Sequence, residues 1–363
     1  MALFPHFEYK PGMRALNTHL ELQGKYFERL LMRKGPLLQP EDFFLVIPPA
    51  GLIEKLKKSL GPFSVDKFNP SFINDQHALA LEDAVELMIS ERRITAPFVI
   101  KPNSSSTGIG IIFVEKNDED YILTMRMPRE GFEAIGASLS FYYLRDNEFQ
   151  RLTHETDNEF IVLIPAKKMG GTLRELLLAA HVTRVPFTFA NRYQHTGECS
   201  PVFVESYLPS WRFNGLAYET RHHVGGDLAG RNVTEITDYY ARIGGSSMFA
   251  NQMEARDKSK GKTLNRKEMY DPLLQSFNLN KEEFTQNLKK LLTAAFVYYS
   301  EQLSDEGFRF EGTSELEIDL MWQQPLRKGD FPRPVMTECG WVYRHPELRS
   351  TEKTPALKYV CSK

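Results

Sequence analysis

Apolar and polar positions follow two rhythms along this chain. Residues 43–47 (FFLVI) form a short apolar run closed by Pro48 and Pro49, the pattern of a buried strand. Immediately after it, 52–60 (LIEKLKKSL) spaces its leucines at helical intervals until Gly61 and Pro62 stop it. A second helix is predicted over 77–92, with Leu79, Ala80, Val85, Leu87 and Met88 on a mixed face. Strands then take over. Residues 97–101 (PFVIK) and 111–115 (IIFVE) flank the polar stretch 102–110 (PNSSSTGIG), which predicts a hairpin with a long tip. Residues 173–180 (LRELLLAA) read as helix and 202–205 (VFVE) as strand. Strands at 216–224 and 232–243 flank a turn that opens on Gly225, Gly226 and Asp227. A long amphipathic helix at 282–303 precedes two closing strands, 314–321 and 334–339.

Two stretches fit this scheme less well. Residues 117–170 carry strand-like runs (YILTM, FIVLI) around a more helical middle and read as an insertion. Residues 253–267 are polar and rich in lysine and arginine, as expected of a basic surface loop. The order of elements predicts an α/β (α+β) chain in three parts. These are a small N-terminal α/β domain over 1–93, a strand-rich lobe over 94–210 containing the insertion, and a C-terminal lobe over 211–363.

Composition narrows the function classes. Lys and Arg number 45 against 47 Asp and Glu, a net charge of −2, which leaves no basic excess for a broad nucleic-acid footprint. Cys199, Cys339 and Cys361 are far apart, with neither a disulfide framework nor zinc-ligand spacing. No apolar run reaches the ~18 residues of a membrane span, and 1–22 carry no signal-peptide pattern. A cytoplasmic enzyme is the expectation, with no nucleic acid and no membrane as partners.

Three constellations can carry chemistry. Lys101 ends a strand, so its ammonium is held at the sheet end. The tip that follows, Ser104, Ser105, Ser106, Thr107, Gly108 and Gly110, can bring hydroxyls and backbone N–H groups to one anion. The alternative is a merely solvated turn. In a strand over 314–320 (SELEIDL), Glu315, Glu317 and Asp319 share one face, opposite Leu316, Ile318 and Leu320. Glu338 stands on the next strand, and carboxylates on adjacent strands suit magnesium, a hard cation that also holds substrate phosphates. Arg221 and Arg242 can pair bidentately with carboxylate or phosphate oxygens, or form ordinary pairs with Glu219, Glu235 or Asp238. His222 and His223 are sequence neighbours in a strand and point to opposite faces, so a joint metal site is not expected of them.

The order of these pieces over 74–343 resembles the ATP-grasp superfamily. Asn74 and Asp75 before a helix look like its opening motif, 98–110 like its strand lysine and phosphate-covering loop, and 202–208 (VFVESYL) like its hinge strand. Residues 239–245 (YYARIGG), followed by Phe249, Ala250 and Asn251, are similar to the arginine strand and asparagine segment of its glutamate-adding ligases. The resemblance implies an ATP-grasp-like, two-lobed nucleotide cleft that binds ATP and Mg2+. Lys101 and Ser104 to Gly110 would hold the phosphates, Glu205 the adenosine, and Asp319, Glu338 and Asn251 magnesium. Arg221 and Arg242 would act catalytically on the transferred phosphoryl group or the substrate carboxylate. The implied substrates are a small-molecule carboxylate and an amine or thiol, with a homodimer as one option for assembly. A kinase acting on a hydroxyl, and a non-catalytic ATP-binding protein, are the alternatives. Gln76 stands where the family usually has lysine, and Gly340 where it usually has asparagine.

Overall fold

The computed structural model describes residues 25–40, 42–60, 63–65, 78–91, 94–103, 110–117, 120–126, 142–145, 148–151, 160–189, 192–227, 231–244, 262–305 and 313–343. In chain order its elements begin with α1 (Lys25–Leu31), β1 (Phe43–Val46), α2 (Leu52–Leu60), β2 (Phe63–Val65), β3 (Ala78–Leu79) and α3 (Leu81–Ile89). Next come β4 (Phe98–Pro102), β5 (Ile111–Asn117), β6 (Asp120–Arg126), β7 (Tyr142–Arg145), β8 (Glu148–Arg151) and β9 (Phe160–Pro165). Then follow α4 (Met169–Ala180), β10 (Val182–Phe189), β11 (Arg192–Cys199) and β12 (Val202–Ser206). The last elements are β13 (Arg212–Phe213), β14 (Leu216–Asp227), β15 (Asn232–Ile243), β16 (Lys262–Leu264), α5 (Asp271–Phe277), α6 (Lys281–Asp305), β17 (Thr313–Trp322) and β18 (Pro334–Tyr343). The chain is thus mixed α/β, and none of its described helices is long and apolar enough to cross a membrane.

Contacts divide the described chain into two compact units, one of residues 40–208 and one of residues 25–39 together with those from 209 onward. The N-terminal stretch expected to form one domain is therefore shared between them. Residues 25–39 join the C-terminal strands, and those from 40 onward join the middle of the chain.

The middle unit is built on a seven-stranded sheet in the order β3-β1-β12-β4-β5-β6-β9. Its strands β1, β4 and β12 are apolar runs because both faces are covered. One face, carrying Phe44, Val46, Ile100, Ile112, Val114, Val202 and Val204, packs on Leu56, Leu81, Ala84, Met88, Leu173, Leu176 and Leu177 from α2, α3 and α4. Burying a side chain of this size contributes about 1.5–3 kcal/mol. The opposite face carries Phe43 against Phe203, ring centroids 5.8 Å apart. Strands β6 and β9 extend this sheet, so both ends of the stretch read as an insertion belong to it. The helical middle expected there is corrected: its described residues form the β7–β8 hairpin, in which the aromatic Tyr142 and Tyr143 favour strand although Leu144, Arg145 and Glu148 do not. The helix predicted over 77–92 is also shorter, since Ala78 and Leu79 pair with β1 before α3 begins.

The second unit holds a six-stranded sheet, with β16-β15-β14-β17-β18 in order and β13 beside β14. One face of this sheet is apolar and carries Leu316, Ile318, Leu320 and Trp322. The buried stripe of α6 is Phe284, Leu288, Leu292, Ala295, Phe296, Tyr299 and Leu303, at helical spacing. Gly226 lets Phe296 of that stripe reach the β14–β15 hairpin: a Cβ there would lie 2.3 Å from the Asn232 carbonyl and 2.9 Å from the Phe296 ring. The other face is ionic.

Candidate functional site

The ionic face follows from strand alternation. Residues 315, 317 and 319 of β17 point away from the core, as do 219, 221 and 223 of β14, and antiparallel pairing sets Arg221 opposite Asp319 and His223 opposite Glu317. On β15, Arg242 lies opposite Glu219. On β18, Glu338 lies opposite Asp319. A bulge between Asp319 and Leu320 inserts Thr337 there. Its hydroxyl donates to Glu219 Oε1 at 2.9 Å and approaches the Asp319 carbonyl at 3.2 Å.

Asp319 is the hub, only 2% exposed. Arg221 donates to it in a fork, Nε to Oδ1 at 2.7 Å and NH2 to Oδ2 at 2.6 Å. Arg242 NH2 adds a bond to Oδ2 at 2.8 Å. Each guanidinium has a second carboxylate, Glu317 at 2.7 Å for Arg221 and Glu219 at 2.9 Å for Arg242. Both also stand over the Tyr240 ring, 5.6 and 5.4 Å from its centroid, a favourable cation–π distance. Burial alone would raise the Asp319 pKa, but the charges of Arg221 and Arg242 outweigh it and hold the carboxyl below its usual range. For Glu219 burial wins over the charge of Arg242, and its pKa is raised.

The ladder continues to His223, whose Nδ1 bonds Glu315 and whose Nε2 lies 3.2 Å from Glu317. Burial lowers the pKa of this imidazole, while its hydrogen bonds to the carboxylates of Glu315 and Glu317 raise it, and the net shift is upward. His222 faces the other way, as alternation requires. Its Nε2 meets Thr220 Oγ1 at 2.9 Å and its Nδ1 meets Asp238 at 3.2 Å. The spacing looks like a threonine–histidine–aspartate relay, but Thr220 is fully buried and also accepts from Trp322 Nε1 at 3.1 Å, so this is a core polar network.

In the middle unit, Lys101 on β4 pairs with Glu205 on the adjacent strand β12, on the sheet face opposite the helices. Both side chains are buried. The structure thus brings Lys101 together with Glu205. It also brings Arg221, Arg242, Asp319 and Glu338 onto one face. Gly110 is buried with φ 83°, a conformation that favours glycine. Ser104, Ser105, Ser106, Thr107, Gly108 and Asn251, together with the Asn74–Gln76 motif, lie outside the described residues.

Two groups, Lys25 and Thr337, escaped the sequence reading, and a third, Glu219, entered it only as one of three ordinary partners for the arginines. Lys25 of α1 lies 3.2 Å from Glu338 Oε1. Glu219 stands two residues before Arg221, and alternation alone places it on the ionic face. Thr337 depends on a bulge that no local motif announces.

The donor set can be tested against magnesium. Among the described residues no three His, Cys, Asp or Glu side chains cluster as a metal site. Magnesium, however, usually takes only one or two carboxylates and completes its shell with phosphates and water. A carboxylate offers about four lone-pair positions, and three of those on Asp319 are used, leaving one on Oδ1. Glu338, 45% exposed, uses Oε1 for Lys25, and its Oε2 meets no described residue. Asp319 and Glu338 are register partners on adjacent strands, which leaves these two oxygens as the candidates for such an ion. Arg242 is 9% exposed and its buried Nε finds no acceptor among the described residues, so it has a donor left for an incoming oxygen. Compared with known proteins, the chain matches no family model and no curated protein sequence.

Proposed function

We propose that this chain is an ATP- and magnesium-dependent ligase that activates a small-molecule carboxylate as an acyl phosphate for attack by an amine or thiol. The observation that carries the reading is the orphaned Nε of Arg242, whose NH2 group holds Asp319, the register partner of Glu338. A guanidinium donor and a carboxylate pair of this kind suit a phosphoryl group and its cation. The Lys101–Glu205 pair on adjacent strands supports it, because the ATP-grasp resemblance assigns those two residues to phosphate and adenosine.

Asp319 and Glu338 would hold magnesium, which when bound neutralises the charge of the phosphate oxygens. The substrate carboxylate attacks the γ-phosphorus; an O–P bond forms, the bond to the β-phosphate oxygen breaks, and ADP leaves. The nucleophile then displaces inorganic phosphate from the acyl carbon. Little covalent work falls to the protein, whose task is positioning and charge compensation. Arg221 and Arg242 are suited to that task because their carboxylate partners already fix their orientation.

The test is ADP release screened against amino acids, hydroxy acids and small peptides, with phosphate measured in parallel. The ligase reading expects ADP and phosphate in equal amounts, only when acid and nucleophile are both present. ADP with a stable phosphoester would instead identify a kinase. ATP binding without turnover across the panel would identify a non-catalytic binder.

A further inference from the structure

Helix α6 presents more than its buried stripe. Positions 286, 290, 294, 297, 298 and 301 recur at helical spacing on another side of it. On that side Lys290 and Ala294 are exposed, and Val297 and Tyr298 are half-buried. A groove of about 820 Å³ runs between this row and segment 34–36, which follows α1. That segment is a fixed wall. Gly35 N donates to the Met32 carbonyl at 2.8 Å, Leu37 is buried, and Leu38 bridges Val335 of β18. A Cβ at Gly35 would lie 3.0 Å from the Met32 carbonyl oxygen and 3.1 Å from the Tyr298 ring, so glycine lets the wall lie directly on that ring.

Floor and rim differ in chemistry. Pro36, Ala294, Val297 and Tyr298 supply apolar surface. Lys34, Lys289 and Lys290 line the same groove, all exposed, and among the described residues none of the three meets a carboxylate. Glu301, the acid at one end, is already answered by Arg231 at 3.1 Å. The groove thus gathers uncompensated positive charge in a chain whose net charge is −2. Charge complementarity selects the occupant. We propose that this groove docks an acidic, amphipathic segment of a partner protein, with aliphatic side chains on Ala294, Val297 and Tyr298 and carboxylates at Lys34, Lys289 and Lys290. From 286 to 301 the row is about 22 Å long at the helical rise per residue, room for about four helical turns or about seven extended residues of the partner. A flat bilayer does not follow a groove walled on one side, and a nucleic-acid backbone calls for a longer run of cations. This docking is independent of the nucleotide reading.

The experiment finds the ligand without assuming it. A random dodecapeptide library on phage is panned against the full chain, and enriched peptides are synthesised with a fluorescein label for polarisation titration. An enriched family with acids around aliphatic residues is expected. Its members should bind the double variant Lys289→Glu, Lys290→Glu about tenfold or more weakly than the wild type, because two attractions become repulsions. Ala294→Arg keeps the positive charge but fills the floor, and should weaken them by a similar factor. All three positions are exposed, so the variants should melt like the wild type; Lys34→Glu replaces either should it fail to fold. Enrichment of no such family, or binders indifferent to these variants, would overturn the proposal. So would wild-type self-association in sedimentation that Ala294→Arg abolishes, which would make the occupant a second copy. Flotation with phosphatidylserine vesicles that the double lysine variant loses would assign the groove to a membrane surface instead, and overturn it too.

Discussion

Asp319→Asn is the sharpest structural perturbation of the ionic face. The substitution keeps shape and size but removes the charge that three guanidinium bonds of 2.6–2.8 Å converge on. Asp319 is 2% exposed, so water does not replace the lost partner. Breaking a buried pair on one side costs about 3–5 kcal/mol. Here each guanidinium keeps a second carboxylate, Glu317 at 2.7 Å or Glu219 at 2.9 Å, which brings the expected loss to the lower end, about 3 kcal/mol. In a folding unit of roughly 150–250 residues, that lowers Tm by about 6–12 °C. Thermal unfolding at pH 7, followed by far-UV circular dichroism, reads it. A double-mutant cycle with Arg221→Met isolates the pair, and the double variant should recover part of the loss. A loss under about 1 kcal/mol, the range of exposed ion pairs, would contradict the buried hub.

Other outcomes follow from individual groups. His181 is fully buried, with Nδ1 2.8 Å from the Ser200 carbonyl, and burial lowers its pKa to about 4. The unfolded chain therefore binds the proton first, so the middle unit should lose about 3 kcal/mol as pH falls from about 6.5 to 4; chemical denaturation of wild type and His181→Leu at both pH values checks it, and equal pH slopes would refute it. His223 has the opposite sign. Its raised pKa gives stability that is complete below about 6.5 and lost as pH rises through the folded value. The destabilisation by His223→Gln should thus be larger at pH 6 than at pH 9, and a pH-independent difference in melting would speak against the Glu315–His223–Glu317 ladder. Lys101→Met should abolish substrate-dependent ADP formation, and retained turnover would remove that lysine from the chemistry.

Much of the ionic face was legible in the chain. Alternation alone sets Glu315, Glu317 and Asp319 on one side of a strand, and the same rule separates His222 from His223. Helix α2 matches the spacing of 52–60 because its stop signals, Gly61 and Pro62, are local. What escaped depends on contacts between distant segments. The choice between Glu219, Glu235 and Asp238 as partners of Arg221 and Arg242 depends on register, and a bulge between Arg221 and His222 shifts that register. Nothing within α1 (KYFERLL) tells that Arg29 will reach a carbonyl on β18, 307 residues away. Strand β10 contains Pro186, which ordinarily argues against a strand interior, and was not expected at all. The β7–β8 hairpin was masked by a composition compatible with helix.

A role of the ionic face in holding a nucleotide and its cation requires an affinity that depends on Mg2+ and on Glu338. It is tested most directly by calorimetric titration of wild type and Glu338→Gln with a non-hydrolysable ATP analogue, with and without Mg2+. Glu338 is 45% exposed and its replacement leaves the Asp319 hub intact, so the variant should fold normally. Saturable, Mg2+-dependent binding by the wild type is expected, weakened about tenfold or more in the variant, the loss of one charged ligand being worth at least one decade. Wild-type binding too weak to detect at millimolar analogue, or an affinity indifferent to both Mg2+ and Glu338, would contradict it.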